Sequence, residues 1–328
     1  MKYIPEQARF VKLASEKIGY KYEDLDEGNG YLIKVTNASK SIFLSSGAVC
    51  SYPINRATSV GLASDKSHTS RILESLGYPC IPGKHFFITS DRIKLRNTGH
   101  EDSDSFYYAD KLGYPVFCKP NRGSRGDFAE RINSPSDLQQ YIDRAKKKYE
   151  AIIIQKFITG NEYRVFCFDD NTLFSYRKNP SFILGDGIHS IKELITVYNN
   201  TLKGAGISSV NERTLANNLA ESGRSLSSIL TVGEPLNVQF RANLSAGGWI
   251  EDFTIHPRRE LSDLALKCAK ALQLRVCGVD IMDRSKNCDL SDLVVIEVNG
   301  NPFMSSLVEI SRTDIAIEVW VKILKEVL

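Results

Sequence analysis

The sequence predicts an α+β protein built from more than one module. Three observations carry that reading. Strand-like and helix-like segments follow one another in irregular order, unlike the regular alternation of a doubly wound sheet. The 328 residues exceed one ordinary small domain and suffice for two or three modules with sizeable cores. Near the end, two apolar runs each finish in oxygen-bearing side chains: residues 277–283 contain Asp280, and residues 294–302 contain Glu297 and Asn299.

Taken in order, residues 6–19 place Ala8, Val11, Leu13, Ala14 and Ile18 at helical spacing and stop at Gly19. Short strands are expected at 31–36 and 41–44. A second helix, 66–77, ends at Gly77, and Tyr78-Pro79 and Ile81-Pro82-Gly83 follow as turns. Residues 105–113 read as a helix that stops at Gly113. Residues 115–120 form a strand finishing in Lys119-Pro120. A polar loop follows over 121–128, in which Gly123 and Gly126 flank Ser124 and Arg125. Next come a helix at 136–149, an apolar run at 151–157, and strands at 163–168 and 172–176. A second large module carries residues 183–187, a helical insertion from about 190 to 222, and the glycine-bearing segment 241–248. A helix at 260–272 leads into the two apolar runs, and 312–328 is an amphipathic helix.

A net charge of +3 is too small to argue for nucleic-acid or membrane attraction, although a local basic groove for phosphate is compatible with it. Seven cysteines (Cys50, Cys80, Cys118, Cys167, Cys268, Cys277, Cys288) are scattered without CxxC pairs. That pattern fits free thiols in a reducing cytoplasm better than a disulfide framework or a zinc site. The first residues lack the apolar run of a signal peptide, and no stretch reaches transmembrane length. A cytoplasmic protein is expected.

The chemistry concentrates at four places. Strand alternation points Glu297 and Asn299 to one side; beside Asp280 they would gather two carboxylates and an amide oxygen. Oxygen ligands without His or Cys suit Mg²⁺, which combines few carboxylates with phosphate oxygens. Lys119 ends a strand before a glycine loop and can reach phosphate as a point charge, while Gly123 and Gly126 let backbone amides approach an anion. The loop lacks the GxxxxGK[ST] pattern, and by itself it reads most simply as a solvated hairpin tip. Residues 155–162, from Gln155 and Lys156 to Glu162, lie at a module junction where clefts form; in isolation they are an ordinary strand–turn–strand. Arg241, followed by Asn243, Ser245 and two glycines, could steady a transferring phosphoryl group or be a surface arginine in a turn. The five histidines show no ligand spacing and no nearby partner pattern.

Together and in this order, these residues resemble the ATP-grasp superfamily of carboxylate–amine ligases. The likeness is greatest to the ATP-grasp modules of cyanophycin synthetase and bifunctional glutathione synthetase. It runs over about residues 60–310, through Ser64-Asp65-Lys66, 115–126, 155–164, 184–187 with 190–195, 243–248, 278–280 and 297–299. The resemblance implies two α+β subdomains gripping ATP: a central one over 65–155 and a C-terminal one over 156–328. A reduced α/β segment over 1–64 would precede them. It implies that Lys119, Gly123, Ser124, Arg125, Gly126, Gln155, Lys156, Phe157, Ile158 and Glu162 bind ATP. Backbone groups near Phe157 and Ile158 would read adenine, and Glu162 the ribose. Asp280, Glu297 and Asn299 would hold Mg²⁺, as two ions for which Mn²⁺ can substitute. Arg241 and Lys178 would be catalytic, and Asn243, Ser245 and Asn301 would touch substrate. Two departures stand out. Gln155 occupies a position where glutamate is frequent, and the turn 300–304 differs from the commoner small-residue-Pro-Gly ending.

The implied reaction activates a carboxylate as an acylphosphate, which an amine then attacks with release of ADP and phosphate. Its substrates would be a small carboxylate and an amine such as an amino acid or peptide, with no nucleic acid and no membrane involved. Relatives are often dimers, so a homodimer is one assembly the resemblance allows. The insertion at 190–222 would help to shape the acceptor site. Two alternatives remain open at this stage: a phosphotransferase that stops after phosphorylating its substrate, and a nucleotide-sensing module without turnover.

Overall fold

The computed structural model describes residues 4–45, 52–91, 93–124, 126–204, 209–210, 212–238, 242 and 248–328. Helix α1 (Glu6–Lys17) is followed by an antiparallel meander of β1 (Lys21–Asp24), β2 (Leu32–Thr36) and β3 (Ser41–Ser45). Helices α2 (Ala57–Ser64) and α3 (Lys66–Ser75) come next. Asp65 caps α3 by accepting the His68 backbone N–H at 3.0 Å.

The central sheet holds β4 (Gly83–Phe87), β5 (Val116–Pro120), β6 (Glu130–Ile132) and β7 (Ala151–Lys156) in the order β4-β7-β5-β6. Two helices cover one face. Helix α4 (Asp102–Leu112) starts in a capping box between Glu101 and Asp104, and α5 (Pro135–Ala145) starts at Ser134 with proline in its first turn. Alternation decides which side chains meet those helices. Val116, Cys118, Ile152 and Ile154 join Phe86, Leu138 and Tyr141 in a closed core, leaving Phe117, Lys119 and Gln155 on the other face.

The C-terminal sheet is built from β8 (Asn161–Phe168), β9 (Asn171–Asn179), β12 (Trp249–Thr254), β13 (Val276–Asp283) and β14 (Leu293–Asn299), in the order β12-β9-β8-β13-β14. Between β9 and β12 lies the insertion: β10 (Phe182–Leu184), α6 (Ile191–Gly204), α7 (Glu212–Glu221) and β11 (Pro235–Asn237), with its own small core around Ile191, Ile195 and Leu230. Helix α8 (Arg259–Ala271) packs with Leu73 against Val165, Cys167, Cys277, Val279 and Ile281 on one face of the five-stranded sheet. Beyond β14 come the short α9 (Ser305–Glu309) and the long α10 (Thr313–Val327).

The opposite face of this sheet is divided along its length. Phe166, Phe168, Phe174 and Tyr176 are roofed by α10, α1 and the first meander, where Trp320 stacks on Tyr52 at 5.3 Å between ring centres. Two to four residues further along the same strands, Glu162, Arg164 and Lys178 emerge on that face. A single strand thus changes from charged to aromatic along one face, and the change marks where the core ends and the cleft begins.

Element boundaries follow the expected ones to within a few residues for most helices and strands. Three expectations are corrected. Gly83 opens strand β4 instead of ending a turn, because Gly83 to Phe87 pair with Gln155 to Ala151. The helix expected to 149 stops at Ala145, with Lys146 as its C-cap. Four of the five histidines have ring partners among the described residues: His68 lies beside Asp65, His85 Nδ1 lies 2.9 Å from Ser67 Oγ, His100 stacks on the His85 ring, and His189 pairs with Asp186. The cysteines among the described residues are all free, as the scattered spacing suggests.

Candidate functional site

The uncovered faces of the two sheets enclose a cleft of about 440 Å³. The central sheet and its loop contribute Phe117, Lys119, Gly123, Ser124, Gly126, Gln155 and Lys156. The junction contributes Phe157, Ile158 and Glu162, and the C-terminal sheet adds Lys178, Asp280, Met282, Ile296 and Glu297. Twelve of the sequence-predicted residues therefore border one space. Asn299 and Asn301 do not border it; the Asn299 amide oxygen instead accepts the Asn301 backbone N–H at 2.9 Å. Arg125, Arg241, Asn243 and Ser245 lie outside the described residues.

Strand register brings the charged groups together. Asp280 of β13 stands directly opposite Glu297 of β14 on one side and Arg164 of β8 on the other. One step along, Glu162 of β8 is opposite Lys178 of β9. Arg164 grips Asp280 through two hydrogen bonds of 2.5 and 2.6 Å, and Lys178 donates to the same carboxylate at 3.0 Å while also pairing with Glu162. From the other side of the cleft, Lys66 at the start of α3 places its ammonium 3.8 Å from Glu297 and donates to the Gly123 carbonyl at 3.0 Å.

Burial opposes every one of these charges, and partners decide the outcome. For Asp280, burial would raise the carboxyl, but Arg164 and Lys178 outweigh it and hold it well below the usual range. Glu297 is also held down against burial, chiefly by Lys66 and then by Lys119. Glu162 goes the other way: burial dominates, Lys178 only partly offsets it, and its carboxyl is raised. Lys178 is pushed up against burial by Asp280 and Glu162. Lys119 is the exception among the cations. Burial brings its ammonium down to about 8, with Glu297 providing the largest opposing pull.

A metal–nucleotide fits this lining. Gln155 is buried in the cleft wall beside the apolar Ile81, Phe157, Met282 and Ile296, and its amide oxygen has no hydrogen-bond partner, an acceptor left for a ligand donor. Among the described residues no three His, Cys, Asp or Glu side chains gather into a cage. Two adjacent carboxylates that leave the remaining positions to phosphate oxygens are the arrangement Mg²⁺ prefers. Sequence reasoning placed Lys66 and Arg164 only within segments that carry the resemblance and gave neither a role in the cleft. The signal for Arg164 was present: Glu162, Arg164, Phe166 and Phe168 share one face of their strand.

Two family descriptions match the chain on either side of the insertion. Residues 72–180 match the D-ala D-ala ligase C-terminus, and residues 230–323 match a RimK-like ATP-grasp domain. The chain belongs to the ATP-grasp superfamily. A cyanophycin synthetase from Crocosphaera subtropica is 31% identical over 74% of the chain and 28% of its own length. The glutathione biosynthesis bifunctional protein from Mannheimia succiniciproducens is 28% identical over 58% of the chain and 27% of its own length. Its counterpart from Streptococcus agalactiae is 27% identical over 87% of the chain and 38% of its own length. This ATP-grasp chain therefore spans well under half of the curated relatives it matches. A solved bifunctional glutathione synthetase from Pasteurella multocida superposes with a TM-score of 0.49 at 19% identity, over 92% of this chain and 40% of the other. No helix among the described residues is long and apolar enough to cross a membrane.

Proposed function

We propose that this ATP-grasp chain is an ATP-dependent ligase that joins a small carboxylate to an amine through an acylphosphate, releasing ADP and phosphate. The observation that carries the reading is the cross-strand pair Asp280–Glu297, set across the cleft from Lys119 and Lys66. The central physical difficulty of the reaction is an anion attacking an anion. Cations ranged around the terminal phosphoryl group offset that repulsion, and holding the carboxylate in line removes much of the entropic barrier.

In this reading Lys119, Lys66 and Lys156 take the phosphates, and the loop bearing Gly123, Ser124 and Gly126 closes over them. Gln155 and the backbone at Phe157 and Ile158 take the adenine edge. Asp280 and Glu297 hold Mg²⁺, which when bound neutralises phosphate charge and aligns the terminal phosphoryl group. Glu162 pairs with Lys178 in the nucleotide-free cleft, and its carboxylate can accept a hydrogen bond from a ribose hydroxyl. Closure of the loop excludes water from an intermediate that hydrolyses readily. The amine and carboxylate enter beside Pro180, Asn237, Val238 and Ala242, which border the cleft from the insertion side.

The test is an ADP-release screen over pairs of amino acids and short peptides, with mass spectrometry of the products. Amide formation that disappears in both Lys119→Ala and Glu297→Ala is the expected result. Undiminished turnover in both variants would overturn the assignment. A phosphorylated product formed without any amine would replace it with the phosphotransferase reading.

A further inference from the structure

Arg164 reaches Asp280 past Gly278, where any side chain would crowd it. A Cβ at position 278 would stand 3.2 Å from Arg164 Cδ and from Pro302 Cβ, tighter than side-chain atoms ordinarily pack, and 3.5 Å from Arg164 Nε. Gly278 thus admits the arginine stem, and the guanidinium closes on both oxygens of Asp280. Lys178 adds a further donor to one of those oxygens. The carboxylate is 2% exposed. The residue best placed to hold a metal is therefore already covered by two cations.

The surrounding charges point the same way. Five cations, Lys66, Lys119, Lys156, Arg164 and Lys178, face four carboxylates, Asp127, Glu162, Asp280 and Glu297, leaving one excess positive charge in a cleft of reduced dielectric. A bare divalent cation would deepen that excess, and a bare polyphosphate would swing it strongly negative. The two entering together nearly cancel.

We propose that Arg164 and Lys178 form a latch that keeps Asp280 closed to a divalent cation until a polyphosphate arrives. The proposal rests on the metal–nucleotide reading of the cleft. The two arms have different tasks. Arg164 is a positioning residue: its paired hydrogen bonds fix the plane of the carboxylate, and it stays in place. Lys178 is the movable arm. It gives Asp280 a single hydrogen bond and has a second carboxylate, Glu162, beside it. A phosphate oxygen entering the cleft offers its ammonium a stronger partner, and one acceptor position is then freed on the Asp280 oxygen that Lys178 shares with Arg164. A carboxylate can accept about four hydrogen bonds or ligands, so Arg164 and a metal can share it.

The experiment is a Mn²⁺ titration followed by electron paramagnetic resonance, with and without ADP, and it needs no turnover. Wild-type protein should bind Mn²⁺ tightly only when ADP is present. Lys178→Gln should bind Mn²⁺ without nucleotide at least tenfold more tightly than wild type. Lys119→Met serves as the charge control, because it removes a positive charge from the same cleft without touching Asp280. It should gain much less. Arg164→Lys should keep the ADP requirement but weaken binding in both conditions, since one donor replaces a two-pronged grip. Tight Mn²⁺ binding to nucleotide-free wild type would overturn the latch while leaving the metal–nucleotide reading intact. An equal gain in Lys119→Met would replace the latch with net charge alone. No Mn²⁺ binding even with ADP would sink both proposals.

Discussion

Lys66 stands 3.8 Å from the Glu297 carboxylate and donates to the Gly123 carbonyl, so one side chain from the start of α3 ties the metal-side strand to the glycine loop. It is mostly buried and is the largest single influence holding Glu297 ionised against burial. At 3.8 Å the Lys66–Glu297 contact is an ion pair; a charge-assisted hydrogen bond from Lys66 to a phosphate oxygen would be worth about 1.5–3 kcal/mol. Lys66→Met should weaken ATP binding about 10- to 100-fold by titration calorimetry with little change in the unfolding midpoint; unchanged affinity would remove Lys66 from the phosphate site.

Lys119 carries a cost in the free protein. Its ammonium titrates near 8 instead of 10.5, a difference of about 3 kcal/mol against folding with the lysine charged. The folded value lies below the unfolded one. The cost is therefore full below pH 8, shrinks as pH rises from 8 to 10.5, and is gone above that range. Lys119→Met should make nucleotide-free protein more stable at pH 7, by up to about 3 kcal/mol, while abolishing ATP binding. Bound phosphate should restore the charge, so ATP binding near pH 8.5 should take up protons. Calorimetry in two buffers of different ionisation enthalpy measures this directly.

Asn55 uses its whole side-chain amide to hold the site from behind. Its nitrogen donates to the carbonyls of Val276 and Gly300, and its oxygen accepts from the backbone N–H groups of Arg275 and Val276. The start of β13 and the turn after β14 are fastened to the same residue. Asn55→Leu should cost about 2–4 kcal/mol in urea unfolding, because several part-buried backbone groups lose their partner at once. A change below about 0.5 kcal/mol would show that water replaces the amide.

Thiol reactivity should separate cleanly. Cys118, Cys167, Cys268 and Cys277 are buried, burial pushes the Cys80 thiol up to about 12, and Cys288 is exposed. Cys288→Ser should lose one rapidly labelled thiol relative to wild type in the native state. Cys167→Ser and Cys268→Ser should leave the rapid count unchanged.

Much of the fold was legible because its signals are local. Val294 to Asn299 is an apolar run ending in oxygen-bearing side chains, and Lys119 precedes a glycine loop; both needed only neighbouring residues to be noticed. Helix α2 was missed because its apolar residues do not form a clear stripe, and β4 because Pro82-Gly83 looks like a turn. The role of Arg164 was missed for a different reason. A lone arginine in a strand acquires meaning only when register sets it opposite Asp280 and beside Gly278, two positions more than a hundred residues away. The same holds for Lys66, whose partners lie in two other segments. Strand existence is written in short runs of sequence, but the pairing that gives a charge its task is not.

Trp320 on α10 and Tyr52 ahead of α2 occupy one core together with α1, and Asn37 donates to the backbone carbonyl of Leu328. Material from opposite ends of the described chain is thus stitched into one seam, whereas the sheet spanning Gly83–Lys156 encloses a core of its own. Contacts that close so long a loop are slow to form. Consolidation should therefore run from the middle outward, with the floor of the cleft in place before the seam beneath the C-terminal sheet is drawn shut. Pulse-labelled hydrogen exchange would register that sequence as early protection in the central sheet and late protection in α1 and α10.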